Sequence, residues 1–216
     1  LVVVDFQNTV QHSYFYMHVY RIVLALCSLY KLYKDFVIVI INIQMESNDL
    51  IFGSPRVNRT GARSVSLKKH NHKLRCHTPR SNIPFGISEY QSTKNYSITQ
   101  NLDSNSVSFV NYLNNLDSII IEKAYISSKE WFGKELSIEK IKEIYNPSVK
   151  GVGYQSFRAR LQIDDVTVWD PCNKQIPLAC VMAGCDVKLS VECSGIYFIA
   201  NEFGLSWKIL QIKLYP

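Results

Sequence analysis

No acidic residue falls between Asp49 and Glu89, while eight basic ones do: Arg56, Arg59, Arg63, Lys68, Lys69, Lys73, Arg75 and Arg80. That imbalance disfavours a dication. His70, His72, Cys76 and His77 are ligand types, but their surroundings are cationic and their spacing fits no zinc class. The six cysteines form no C-x-x-C pair and several lie in apolar runs. This argues against a zinc ribbon or a disulfide framework and for buried thiols in a reducing, intracellular compartment. No apolar run reaches the roughly 18 to 20 residues that span a bilayer. The segments 22–30 and 36–43 are separated by Lys31, Lys34 and Asp35. G-x-S-x-G, Walker, G-x-G-x-x-G and H-E-x-x-H motifs are all missing, and Gly151-x-Gly153 precedes a strand, the wrong order for a dinucleotide loop. The expectations are no enzyme, no cofactor, no metal and no membrane.

What is present is a chain of 216 residues with a formal net charge of +6, enough for one sizeable core. The first 44 residues carry neither an initiating Met nor a basic region followed by a cleavage site. Two readings stand for this extension: read-through upstream of a start at Met45, or a genuine hydrophobic helix or strand pair. Residues 45–216 are expected to form one domain.

Within that domain the period of the apolar residues changes. Ser64 to Leu67 and Leu74 to Cys76 read as short strands around a turn at His70–His72, and Tyr96 to Leu102 as a further strand. Val107, Val110, Leu113, Leu116, Ile120 and Ala124 make one stripe at helical spacing, predicting a helix over 103–124. Ser127-x-x-Glu130 has the form of a capping box, and Ser137 is a candidate N-cap for a helix ending at Asn146-Pro147. The helical insert spans about 103–146. After Gly153, read as a hinge, the period is two. Phe157, Ala159, Leu161 and Ile163 alternate with Arg158, Arg160 and Gln162, and Val187, Leu189, Val191 and Cys193 with Lys188, Ser190 and Glu192. Ser194-Gly195 and Asn201–Gly204 read as turns, and 205–215 as the last strand. Meander strands with short turns predict an α+β protein: an OB-like antiparallel β-barrel with a helical insertion and a basic N-terminal segment.

The polar sides of these strands carry the candidate chemistry. Arg158, Arg160, Lys188 and Lys213 would neutralise phosphates, with Arg56, Arg59, Arg63, Lys68 and Lys69 extending the track; the alternative is an ordinary solvated surface. Trp207 falls on the polar phase if Leu210, Ile212 and Leu214 face inward, beside Gln211 and Lys213. Such a Trp either covers a core edge or stacks on a ligand; Tyr197 stands in a similar position. Base stacking on an aromatic ring is worth about 1–3 kcal/mol. Asp164-Asp165 reads as a turn rather than a Mg²⁺-binding pair.

The segments Arg56-Val57-Asn58 to Ser66-Leu67, Thr78-Pro79 to Pro84-Phe85-Gly86, Trp131-Phe132-Gly133, and Ser194-Gly195-Ile196-Tyr197-Phe198 to Phe203-Gly204-Leu205-Ser206-Trp207-Lys208 together resemble the single-stranded-DNA-binding proteins of large nucleocytoplasmic DNA viruses. The resemblance runs from about Met45 to the C-terminus. It implies an OB-like fold and non-catalytic binding of exposed viral DNA during replication, in the cytoplasm or nucleus of a host. The expected partner is single-stranded DNA or RNA, with replication proteins as further partners. A rival class is a scaffold or interaction component of a virion or replication complex; a second is an Asp164/Asp165-dependent nuclease.

Overall fold

Two 14-residue strands, Asp186–Ile199 and Glu202–Tyr215, form a long antiparallel hairpin on which the rest of the sheet is assembled. The computed structural model describes residues 49–58, 61–89 and 95–215. Expectations for residues 1–44 and for Arg59 lie outside the described residues. In chain order the strands begin with β1 (Leu50–Phe52), β2 (Arg56–Val57), β3 (Arg63–Val65), β4 (Leu67–Lys69), β5 (His72–Lys73), β6 (Arg75–His77), β7 (Ser81–Asn82), β8 (Ile87–Glu89) and β9 (Tyr96–Leu102). Three helices follow: α1 (Val107–Ile126), α2 (Ser128–Phe132) and α3 (Ile138–Ile144). The chain continues with β10 (Tyr145–Asn146), β11 (Val149–Lys150), β12 (Gln155–Leu161), β13 (Thr167–Trp169), β14 (Gln175–Ile176) and the hairpin strands, β15 and β16.

The α+β expectation holds, but among the described residues the barrel does not close. The main sheet runs β2-β3-β15-β16-β12-β9-β8 and is open at β2 and β8; β1, β4 and β5 form a separate small sheet. Where β9 approaches β15, a side chain takes the place of a ladder. The buried Gln100 donates through Nε2 to the carbonyls of Val187 (3.0 Å) and Pro79 (3.4 Å). β12 and β16 pair only at Arg160 and Lys208. Beyond that point β10 lies on β16 and β11 on β12.

Two bulges control which side chains face inward. The first lies between Cys193 and Gly195, so Ser194-Gly195 is not the expected turn but an irregularity within one strand. Gly195 has φ +124°, and a Cβ there would meet the Val65 carbonyl oxygen at 2.6 Å, so the position requires glycine. The second lies opposite Ser190/Val191, where Val191 pairs with Ile209 and Ser190 with Gln211, leaving Leu210 over. Ile209 and Ile212 are therefore both buried, and the alternation reverses phase at Leu210. The hairpin turns at Ala200-Asn201, and Gly204, expected in the turn, lies within β16.

The inner face packs on α1. The predicted stripe Val110, Leu113, Leu116, Ile120 and Ala124 is buried, while Val107 stays exposed. Asp103 caps the 3₁₀ turn that leads into α1, and Ser137 caps α3 by accepting from the Lys140 amide. The expected box at Ser127 makes no side-chain cap; Ser128 is buried instead and accepts from the Leu136 amide. Edge-to-face rings fill the centre: Phe109 on Phe157 at 5.3 Å, Trp131 on Phe198 at 5.9 Å and Phe132 on Phe203 at 5.2 Å. The described cysteines are free thiols, and burial pushes those of Cys76 and Cys193 up to about 12. Among the described residues no helix is long and apolar enough to cross a membrane.

Candidate nucleic-acid interface

The face of the sheet opposite α1 is a run of polar rows that the ladders bring into line. Side chains directly across a ladder share a face. One row is Lys188, Lys213, Trp169 and Gln175, drawn from β15, β16, β13 and β14. The next is His77, Ser190, Gln211 and Thr167. After the bulge come Arg75, Glu192, Lys208, Arg160 and Ser97. Arg158 follows on β12, opposite Thr99. Tyr197, Gly204, Asn146, Ser64 and Arg56 make a row at the far end of the hairpin.

The first two rows frame a groove of about 500 Å³, lined by His77, Trp169, Asn173, Lys188, Leu189, Ser190, Gln211, Lys213 and Tyr215. Lys213 Nζ donates to Asn173 Oδ1 at 2.7 Å and lies 5.9 Å from the Tyr215 ring centre. The Arg80 guanidinium lies 4.8 Å from the same ring centre and also pairs with Asp186 at 3.1 Å. Trp169 Nε1 donates to Thr167 Oγ1 at 3.2 Å, which fixes the indole while leaving it half-buried. Two rings, two lysines and two amides thus share one concave surface.

Lys188, Lys213, Arg158, Arg160, Arg56 and Tyr197 of the expected set lie on this face. The first four carry the polar phase read from the strands, and Arg158, Arg160 and Lys188 are exposed. Arg158 Nε donates to Ser97 Oγ at 3.0 Å. Tyr197 is half-buried; its hydroxyl accepts from Asn146 at 2.7 Å and burial raises its pKa.

Two expected members, Trp207 and Arg63, are corrected, and two others, Lys68 and Lys69, lie in the separate small sheet. Trp207 is 3% exposed and points inward, its ring 5.9 Å from Phe157 and its Nε1 donating to Ser148 Oγ at 3.4 Å. It offers no face to a ligand, because the bulge at Leu210 separates its phase from that of Gln211 and Lys213. Arg63 lies on the inner side with Phe198 and donates to the Glu130 carbonyl at 2.8 Å, near the end of α2. Lys68 and Lys69 belong to the separate small sheet, where Lys69 lies 4.0 Å from Asp49. Sequence reasoning missed Trp169 and Tyr215 as a pair of rings. The available signal was Trp169 in a short strand beside the Asp170-Pro171 turn, together with a Tyr two residues past Lys213.

A buried carboxylate sits among these cations. Glu192 is 4% exposed and accepts from Lys73 at 2.7 Å and Arg75 at 2.8 Å. Burial pushes its carboxyl up, but hydrogen bonds and charge from Lys73 and Arg75 outweigh this and hold it below the usual 4.5. A depressed carboxyl contributes stability above its unfolded pKa and loses it as pH falls through the folded value. Glu192→Gln should therefore cost about 1–3 kcal/mol at neutral pH. It should also flatten the loss of stability as the solution is acidified below about 4.5. Denaturant melts across pH check this; an unchanged acid limb counts against the clamp. Asp117 acts in the opposite sense. Burial raises its pKa, against hydrogen bonds from Tyr145 and Ser148, so its ionisation lowers stability as pH rises. The Gln variant isolates the Glu192 contribution.

Asp165 pairs with Lys208 at 2.8 Å, in a 3₁₀ turn over Ile163–Asp165. Among the described residues no group of three His, Cys, Asp or Glu is placed to hold a metal ion.

Comparison with known proteins gives the following. The chain is similar in structure to a single-stranded DNA-binding protein from bacteriophage Enc34, at 11% identity and TM-score 0.44, covering 76% of this chain and 89% of that one. The same phage protein in complex with ssDNA matches at 12% identity and TM-score 0.39, over 75% and 94%. The single-stranded DNA-binding protein gp2.5 of bacteriophage T7 matches at 12% and 0.43, over 66% and 86%. These are phage proteins, not proteins of large nucleocytoplasmic viruses. No curated protein matches the chain. Residues 93–216, from β9 through the final hairpin, match a protein-family model described as a family of unknown function, DUF5871, and the chain belongs to that family.

Proposed function

We propose that the chain binds single-stranded nucleic acid, DNA first, without catalysis and with tolerance of sequence. The observation that supports this reading is the groove in which Trp169 and Tyr215 stand beside Lys188 and Lys213. Rings recognise bases whose faces are exposed, and a duplex hides those faces in its stack. Stacking is tolerant because every base has a π-face. The cations supply the sequence-independent attraction to phosphates, and Arg160 and Arg158 continue it along the sheet. Arg56 and Tyr197 stand on the same face farther along. In this reading the role is to cover exposed strands during viral DNA replication, with the free thiols suited to a reducing compartment.

The test is a fluorescence-anisotropy titration against single-stranded DNA, duplex DNA and RNA at two salt concentrations. Single strands should bind more tightly than duplex, with a log–log salt slope of about −0.7 per neutralised phosphate. Removing Lys188 and Lys213 together should reduce that slope by roughly 1.4. Salt-independent binding, or a preference for duplex, contradicts the proposal. Retention by another protein with no affinity for single strands favours a scaffold role instead.

A further inference from the structure

A further ring and a further cation stand at the opposite end of the sheet from the groove. β11 and β12 form a hairpin whose loop is Gly151-Val152-Gly153-Tyr154. Val152 and Tyr154 are the most exposed large apolar residues of the described chain, at 101% and 94%. The loop is tightly built. Gly151 has φ +93° and Gly153 φ +104°, and a Cβ on Gly151 would meet the Tyr154 carbonyl oxygen at 2.2 Å. This backbone holds an apolar tip out in water.

The base of the loop lies on the same face as the groove. Lys150 pairs across the ladder with Ser156, and Ser156 with Asn101, so the exposed Lys150 lies on the outer face. Arg158 and Arg160 follow at steps of two along β12, and Tyr154 is the loop residue immediately before that strand. β12 runs parallel to β16 where they pair, so the Tyr154 end of β12 lies toward Gly204 and the groove lies toward Lys213. At about 3.3 Å per residue, the two ends are on the order of 30 Å apart. Arg160, Lys208 and Arg158 lie between them.

We infer that Lys150 and Tyr154 form a second contact for the same strand, stacking a base and holding a phosphate at the far end of the track. The inference rests on the function proposed for the groove. The occupant is unpaired polynucleotide rather than an apolar protein surface, because Lys150, at the base of the loop that carries Tyr154, shares the outer face with the arginines of β12. A consequence is length dependence. A strand of about 5 nucleotides fills the groove alone, and one of about 15 reaches both ends.

The experiment measures anisotropy with oligothymidylates of about 5 and about 15 nucleotides against wild type, Tyr154→Ala, Tyr154→Trp and Trp169→Ala. Tyr154→Ala should leave the short oligomer's affinity unchanged and weaken the long one's by about tenfold, while Tyr154→Trp retains it. Trp169→Ala should weaken both. Unchanged long-oligomer affinity in Tyr154→Ala, with Trp169→Ala still impaired, overturns the second contact and leaves the groove standing. Loss of neither in both Ala variants overturns the groove as well. A protein retained by wild type and lost by Tyr154→Ala, with oligomer affinity intact, assigns the tip to protein docking and also overturns the inference.

Discussion

If the chain binds as proposed, Trp169→Ala is expected to weaken binding of single-stranded DNA by about tenfold or more while the protein remains folded. Trp169 sits opposite Lys213 on one ladder and opposite Gln175 on the other, half-buried at the wall of the groove. Its indole is held by Thr167, so little side-chain freedom is lost when a base arrives. Tyr215 lies one alternation beyond Lys213 on the same strand and carries the Arg80 guanidinium at 4.8 Å. Removing the Trp ring leaves the lysines in place. The salt slope should therefore stay as in wild type while the affinity falls at every salt concentration. Trp169→Tyr should recover most of the loss, a rescue that a merely structural role would not show. A full-strength complex in the folded Ala variant would remove the stacking assignment.

Trp207→Ala does the opposite: it lowers the unfolding free energy by about 3–5 kcal/mol. The indole is 3% exposed, packed edge-on to Phe157 and bonded to Ser148, which also donates from its amide and its hydroxyl to Asp117. Truncation leaves a cavity between β16 and β12 and loosens the polar knot that ties α1 to the Tyr145–Ser148 segment. Guanidinium melts measure the cost. In whatever fraction stays folded, affinity per folded molecule should equal that of wild type. A small stability loss joined to a large affinity loss would contradict the burial described for this ring.

These two tryptophans show where the sequence is readable. β12 was legible because its alternation is unbroken from Phe157 to Leu161, whereas β9 alternates weakly, with the polar Gln100 buried among its inward positions. The stripe on α1 was legible for the same reason as β12. Arg158, Arg160 and Lys188 follow from phase alone. Trp207 does not, because one extra residue at Leu210 reverses the phase between it and Lys213, and a local period has no way to register an insertion made against a partner strand. Ser194-Gly195 has turn composition but is a bulge, since the reason for its glycine is the Val65 carbonyl, far away in sequence. Arg63 reads as one more cation until the Glu130 carbonyl is beside it. The ring pair of the groove needs the parallel ladder between β13 and β16, a non-local pairing that two short segments do not announce. Closure of the barrel was inferred from meander spacing; the open edges at β2 and β8 depend on which short strands share the flank of β15.

The most direct measurement uses the protein's own fluorescence. Of its three tryptophans, Trp131 and Trp207 are 1% and 3% exposed, and Trp169 alone is accessible at the groove. Titration with oligothymidylate should quench the accessible fraction of the emission, saturably and less strongly as salt rises, and the quench should vanish in Trp169→Phe. Binding that leaves the emission untouched, or a quench that survives in Trp169→Phe, would show that nucleic acid does not occupy this groove.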